Sequence, residues 1–255
     1  MNNLLYHSFA RSQAGEFGPA LYVLEGIMRE GFFLAREELK VPWRDPCGGR
    51  HSREITQTQY RLCLTSLDSD AELRSHCEVF GPIGIGFKAE FIRNLGGFPV
   101  FYLPAPIGDS EEDGEDRLGV SLVYRLTELR SVLERIRSLP TGYQSQIYSE
   151  VQDVQELEGA VRFLGNILYF TDYTRQKDIQ SLRYYRQREW RVIAGLTSDH
   201  VRVQKGSSYY VLSEYQGLPI HRFIDDVVVH GTRKDANLVD DVLRNHGVSI
   251  RTRIL

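Results

Sequence analysis

The chain has 255 residues, of which 42% are apolar and 25% charged, with a formal net charge of -3. That is long enough to bury a substantial core in one large domain or two small ones, and it provides no overall basic field for nucleic acid. No apolar run approaches the roughly 18 residues needed to span a bilayer, and the start, MNNLLYHSFARSQ, lacks the basic residues and apolar stretch of a signal peptide.

The three cysteines, Cys47, Cys63 and Cys77, are odd in number and not closely paired. They argue against a disulfide framework and make the cytoplasm the default compartment. With His51 and His76 they suggest a zinc set. However, no C-x-x-C pair is present and Cys63 falls inside a strand-like run, so no metal is expected.

In chain order, residues 3–9 read as a strand with His7 on the face of Leu5 and Phe9. Residues 18–30 read as a helix, with Pro19 in its first turn and Gly31 at its C-terminus. FFLAREEL reads as a strand, 42–54 as a basic loop, and 60–66 as an alternating strand. Residues 68–80 suit a short helix capped by Asp68 or Ser69. GPIGIGF reads as a glycine turn into a strand, with Gly84 a candidate for positive φ. A short helix around KAEFIRNLG and the strand FPVFYLPAP follow, then an acidic loop over 108–117.

Residues 119–140 and 145–170 read as amphipathic helices separated by Pro140 and Gly142. Strands are expected over 184–193, over 200–212 and in HRFIDDVVVHG. A helix over 233–246 and a terminal strand, VSIRTRIL, complete the chain. The expected class is α+β: one domain with a mixed, largely antiparallel sheet, flanking helices and a mainly helical insertion at about 119–180.

The stretch RYYRQREWRVI sets one acid, Glu189, among arginines. Alternation puts Glu189, Arg191 and Ile193 on one face and Arg188, Trp190 and Val192 on the other. A carboxylate on a partly buried face is either paired for structure or placed for chemistry. His76 would be a general acid or base, or a hydrogen-bonded cap. Spacing leaves open a triad of Ser66, His76 and an Asp, but no nucleophile elbow marks Ser66. The glycines of GPIGIGF precede a strand and lack the third member of a dinucleotide fingerprint. The basic stretches 44–53 and 183–191 interleave with Trp43, Tyr184, Tyr185 and Trp190, a mixture that also suits stacking on single-stranded nucleic acid.

Three stretches in order, LCLTSLDSDAELRSHCEVFGPIGIGFKAEFIRNLGGFPVFYLP, YYRQREWRVI and FIDDVVVHGTRKDANLVDDVL, together resemble the AbiGi family of bacterial abortive phage-resistance proteins. They also resemble a wider bacterial family with the same layout. LTSLD stands where that family has FTD, and Phe80 stands where it has tyrosine before Gly81. The resemblance implies antiviral defence in a two-component system, with a cognate toxin or antitoxin as partner.

The element order also resembles an ADP-ribosyltransferase-like core that uses NAD. By that analogy His7 or Arg11 would hold the ribose, Thr65 and Ser66 would flank the nicotinamide, and Arg191 would meet the pyrophosphate. Glu189 would stabilise the developing oxocarbenium ion. The alternative implied by the resemblance is a non-catalytic antitoxin that binds a toxin or nucleic-acid partner.

Overall fold

The computed structural model describes residues 4–10, 17–44, 52–104, 117–140, 142–143, 152–171, 188–206 and 209–255. The chain forms two compact units. The first combines Met1–Glu37, Gln59–Pro99 and Gln187–Leu255, and the second combines Glu38–Thr58 and Val100–Arg186.

The first unit is built on a mixed, mostly antiparallel sheet. Strand β1 (Leu4–Phe9) lies between β3 (Ser52–Ser66) and β4 (Ile83–Lys88), antiparallel to both. On one side β3 is followed by β2 (Phe32–Arg44), β10 (Tyr210–Tyr215) and β11 (Leu218–Pro219). On the other, β4 is followed by β12 (Asp226–Val229), which runs parallel to β13 (Arg253–Ile254). Strand β8 (Glu189–Ile193) pairs antiparallel with β3 and with β5 (Phe98–Pro99), and β9 (Val201–Lys205) pairs with β10.

Strand alternation sends the two residue sets of this sheet to different environments. Leu5, Phe9, Leu62, Leu64, Ile85, Phe87, Val192, Val227 and Val229 form the main core. Helices α1 (Gly18–Glu30), α3 (Ala89–Asn94) and α6 (Arg233–Asn245) supply the opposing layer through Leu24, Ile27, Phe91, Ile92, Val239 and Leu243. On the other face, Leu73 and Cys77 of α2 (Asp70–Phe80) pack on Tyr6 and Val228. Ser69 caps α2 by accepting from the Glu72 N–H, and Thr232 and Asp235 form a capping box at the start of α6.

The second unit contains α4 (Arg117–Arg137) and α5 (Gln152–Ile167), with β6 (Phe101–Pro104) parallel to β7 (Leu168–Thr171). Leu133, Val154 and Val161 are buried between the helices.

Several elements differ from the sequence reading. The span 200–212 is two strands, β9 and β10, because the chain turns back at Gly206, whose N–H donates to the Tyr209 carbonyl. HRFIDDVVVHG begins as a 3-10 turn, Ile220–Phe223, and becomes strand only at Asp226. The terminal strand is confined to Arg253–Ile254. FPVFYLPAP splits at Val100 into β5 and β6, which belong to different sheets. Strands β2 and β3 extend into the expected loop 42–54. The acidic loop 108–117 lies outside the described residues but for Arg117, which begins α4.

Gly84 does not have the positive φ expected of it. A Cβ there would lie 2.8 Å from Val228 Cγ2 and 3.2 Å from Ser8 Oγ, so the glycine serves close packing under α2. The positive φ belongs to Gly81, at 131°, where a Cβ would run into the Phe9 carbonyl.

Candidate functional site

The registers bring Glu189 into a buried charged cluster. Thr65 on β3 stands opposite Glu189 on β8, and Cys63 stands opposite Arg191. Alternation then puts Gln59, Arg61, Cys63 and Thr65 on the same face as Glu189 and Arg191. Glu189 is 8% exposed and Arg191 1%.

Glu189 Oε1 accepts hydrogen bonds from Arg191 Nε at 2.8 Å and from Arg61 Nη1 at 3.2 Å. Arg61 Nη2 lies 2.5 Å from Glu37 Oε1. Arg191 Nη1 lies 3.7 Å from Glu37 Oε2 and donates to Gln59 Oε1 at 3.2 Å. Arg61 also lies against the Cys63 thiol. Among the described residues two guanidinium groups therefore face two carboxylates, and the opposite charges make it tolerable to bury Glu189 and Arg191 and partly bury Arg61 and Glu37.

Arg188, just before the cluster, has a φ of 36°, uncommon for a residue other than glycine. Its carbonyl accepts from the Ser66 N–H, and its guanidinium pairs with Asp68, holding that carboxyl below the usual range. These contacts join the start of β8 to the end of β3.

The other predicted residues are dispersed. His7 is on the core face, opposite in register to Ile85, with Phe9 and Phe32 beside its ring. Its Nδ1 is 2.8 Å from the Cys63 carbonyl oxygen, and burial pushes its pKa down to about 4, leaving it neutral near pH 7. Ser66 pairs with Leu5 and shares that core face. Thr65, Glu189 and Arg191 share the opposite face. His76 lies on α2 with its ring 4.5 Å from that of Phe80. Arg11 lies outside the described residues. His7 and Ser66 are thus separated by the sheet from Thr65, Glu189 and Arg191.

Of the cysteine–histidine set, Cys47 and His51 lie outside the described residues. Cys77 sits 3.6 Å from Ser8 Oγ, and burial pushes its thiol pKa up. Among the described residues no group of three His, Cys, Asp or Glu is arranged to hold a metal, and no helix is long and apolar enough to cross a membrane.

Two sets of partners escaped the sequence reading. Glu37, Gln59 and Arg61 come from segments remote from Glu189, although the alternation of Arg61 and Cys63 already placed those two together. The second set joins Tyr6, Asp226, Asp70 and Arg253. Tyr6 OH donates to Asp226 Oδ2 at 2.7 Å, while Arg253 donates to Asp226 at 3.0 Å and to Asp70 at 2.6 Å. Burial and the Asp226 carboxylate push the Tyr6 phenol well above its usual range.

Comparison with family models, curated proteins and solved structures found no significant match.

Proposed function

We propose that this chain serves bacterial phage defence as a non-catalytic binding module, the antitoxin-like member of a two-component abortive system. The sequence stretches that resemble AbiGi proteins motivate the defence setting. The state of Glu189 carries the choice of a binding role over an enzymatic one. Its carboxylate is buried and already accepts from two guanidinium groups, one of them on the almost fully buried Arg191. An acid so engaged is committed to neutralising its own sheet, and the candidate ribose and nicotinamide residues His7 and Ser66 lie on the other face.

A second reading, ADP-ribosyl transfer from NAD, draws support from the direct opposition of Thr65 and Glu189 in register. Calorimetric titration with NAD up to millimolar concentration separates the two. The binding module gives no heat of NAD binding, releases no nicotinamide, and forms a stoichiometric complex with the toxin of its own system that restores growth of toxin-expressing cells. NAD binding with nicotinamide release that Glu189→Gln abolishes in a folded protein would overturn it.

A further inference from the structure

A cleft of about 380 Å³ opens in the first unit beside the end of α1 and the hairpin of β9 and β10. Alternation sends Leu212 to the main core and its neighbour Val211, paired with Gln204 of β9, to the other side, where Val211 lines the cleft with Met28 and Pro219. The register of β9 with β10 shifts between Leu212 and Glu214, and Ser213, the residue between them, also lines the cleft. Its hydroxyl donates to the Arg202 carbonyl at 3.2 Å and accepts from Gln204 Nε2 at 3.4 Å, so these neutral groups already have partners. The volume falls within the range of about 300 to 1,000 Å³ usual for small-molecule sites.

Most charges along the cleft are paired within the chain. Arg29 donates to Glu30 at 2.6 Å, and Glu214 accepts from Arg202 at 3.3 Å. Burial, then Arg222 and His246, push the His221 pKa below its ordinary value, so this ring is neutral near pH 7. Lys205 lines the cleft with no counter-charge among the described residues. Across the hairpin turn, the ring of Tyr209 lies against Gly206, where a Cβ would stand 2.5 Å from Tyr209 Cζ, and 5.4 Å from the ring of Phe33. Tyr209 is 44% exposed, and its hydroxyl has no hydrogen-bond partner among the described residues.

An ammonium and a phenol hydroxyl are both donors, and together they suit a negatively charged acceptor. The apolar part of the lining suits a ligand with an apolar body. Glu30 and Glu214 limit the charge that body can carry. Their repulsion grows in proportion to the ligand's charge, while a single ammonium stands against it, so a phosphate or dicarboxylate dianion fits less well than a monoanion. We propose that this cleft is a binding site for a small organic monocarboxylate, whose carboxylate accepts from Lys205 and Tyr209 while its apolar body rests on Met28, Val211 and Pro219. The site does not depend on the role of Glu189.

Calorimetric titration of the full chain near neutral pH tests this, with benzoate and hexanoate as probes, benzamide as the uncharged counterpart and phthalate as the dianion. At least one monocarboxylate should bind saturably, about tenfold or more tightly than benzamide and phthalate, the margin of one charge-assisted hydrogen bond. Lys205→Gln, at an exposed position, should remove that margin and leave benzamide unchanged. Tyr209→Phe should weaken the carboxylate by a smaller factor. If the lysine variant fails to fold, the comparison of carboxylate with amide in the unaltered chain still decides. No saturable binding of benzoate or hexanoate up to about 10 mM, equal binding of carboxylate and amide, or a folded Lys205→Gln protein that binds the carboxylate as before would overturn the proposal.

Discussion

Glu189→Gln tests the charged cluster most directly. The amide keeps the size and one acceptor oxygen but removes one of the two negative charges that, among the described residues, face Arg61 and Arg191. Glu37 remains, 2.5 Å from Arg61 and 3.7 Å from Arg191, so half of the compensation survives. Breaking a buried pair by removing one partner costs about 3 to 5 kcal/mol. The retained hydrogen bonding and Glu37 place this change near the lower end, at about 3 kcal/mol. For a chain of this size that corresponds to a fall in melting temperature of roughly 6 to 12 °C, read by calorimetry at pH 7. The double variant Glu189→Leu/Arg191→Met removes one charge of each sign and leaves Arg61 with Glu37. It should cost less than Glu189→Gln alone, because no cation is stranded. A Glu189→Gln protein destabilised by less than about 1 kcal/mol, or a double variant costing the sum of its single changes, would refute the assignment of Glu189 to charge balance.

Gly84→Val should lower soluble expression and cost about 3 kcal/mol or more, because its side chain would overlap Val228 and Ser8 beneath α2; denaturant unfolding checks this. Thr232→Ala removes the side-chain half of the α6 capping box and should cost about 1 kcal/mol in the same assay. His7 has a folded pKa of about 4, below its value of about 6.5 in an unfolded chain, so between these values the unfolded state takes up a proton that the folded state refuses. Its contribution is present above about pH 6.5 and is lost as the pH falls towards 4, by up to about 3 kcal/mol. His7→Asn should therefore show a shallower loss of stability over that range than the unaltered chain, measured as urea midpoints at each pH.

The parts of the fold legible in the sequence were those with a local signal. Asp68 or Ser69 marked the start of α2, where Ser69 is the cap, and Gly31 marked where α1 ends. Alternation in REWRV correctly put Glu189 and Arg191 on one face. What failed depended on distant residues. Val211 and Leu212 look like a continuation of Val201 and Val203, and only the pairing of β9 with β10 reveals the hairpin between them. Gly84 looked like a turn glycine because its neighbours are glycine and proline, but its absent side chain makes room for Val228, far along the chain. His7 was readable as a core histidine from Leu5 and Phe9, whereas its separation by the sheet from Glu189 required the registers of β1, β3 and β8 together.

The same registers explain why an acid among arginines is an ambiguous motif. REWRV fixes the near neighbour, since Arg191 lies two residues from Glu189 on one face of a strand. It does not fix how many charges meet there, because the cation of Arg61 arrives from β3 and the acid of Glu37 from β2. A carboxylate with one exposed arginine beside it keeps acceptor capacity for a positively charged transition state. The same carboxylate between two guanidinium groups, one of them 1% exposed, has its charge countered in the resting fold. Moving it towards a reacting sugar would strip Arg191 of a hydrogen-bond partner in a place where water cannot replace it. On the proposed reading the Glu189 carboxylate serves to hold β3 against β8, and recognition of a partner makes no demand on it.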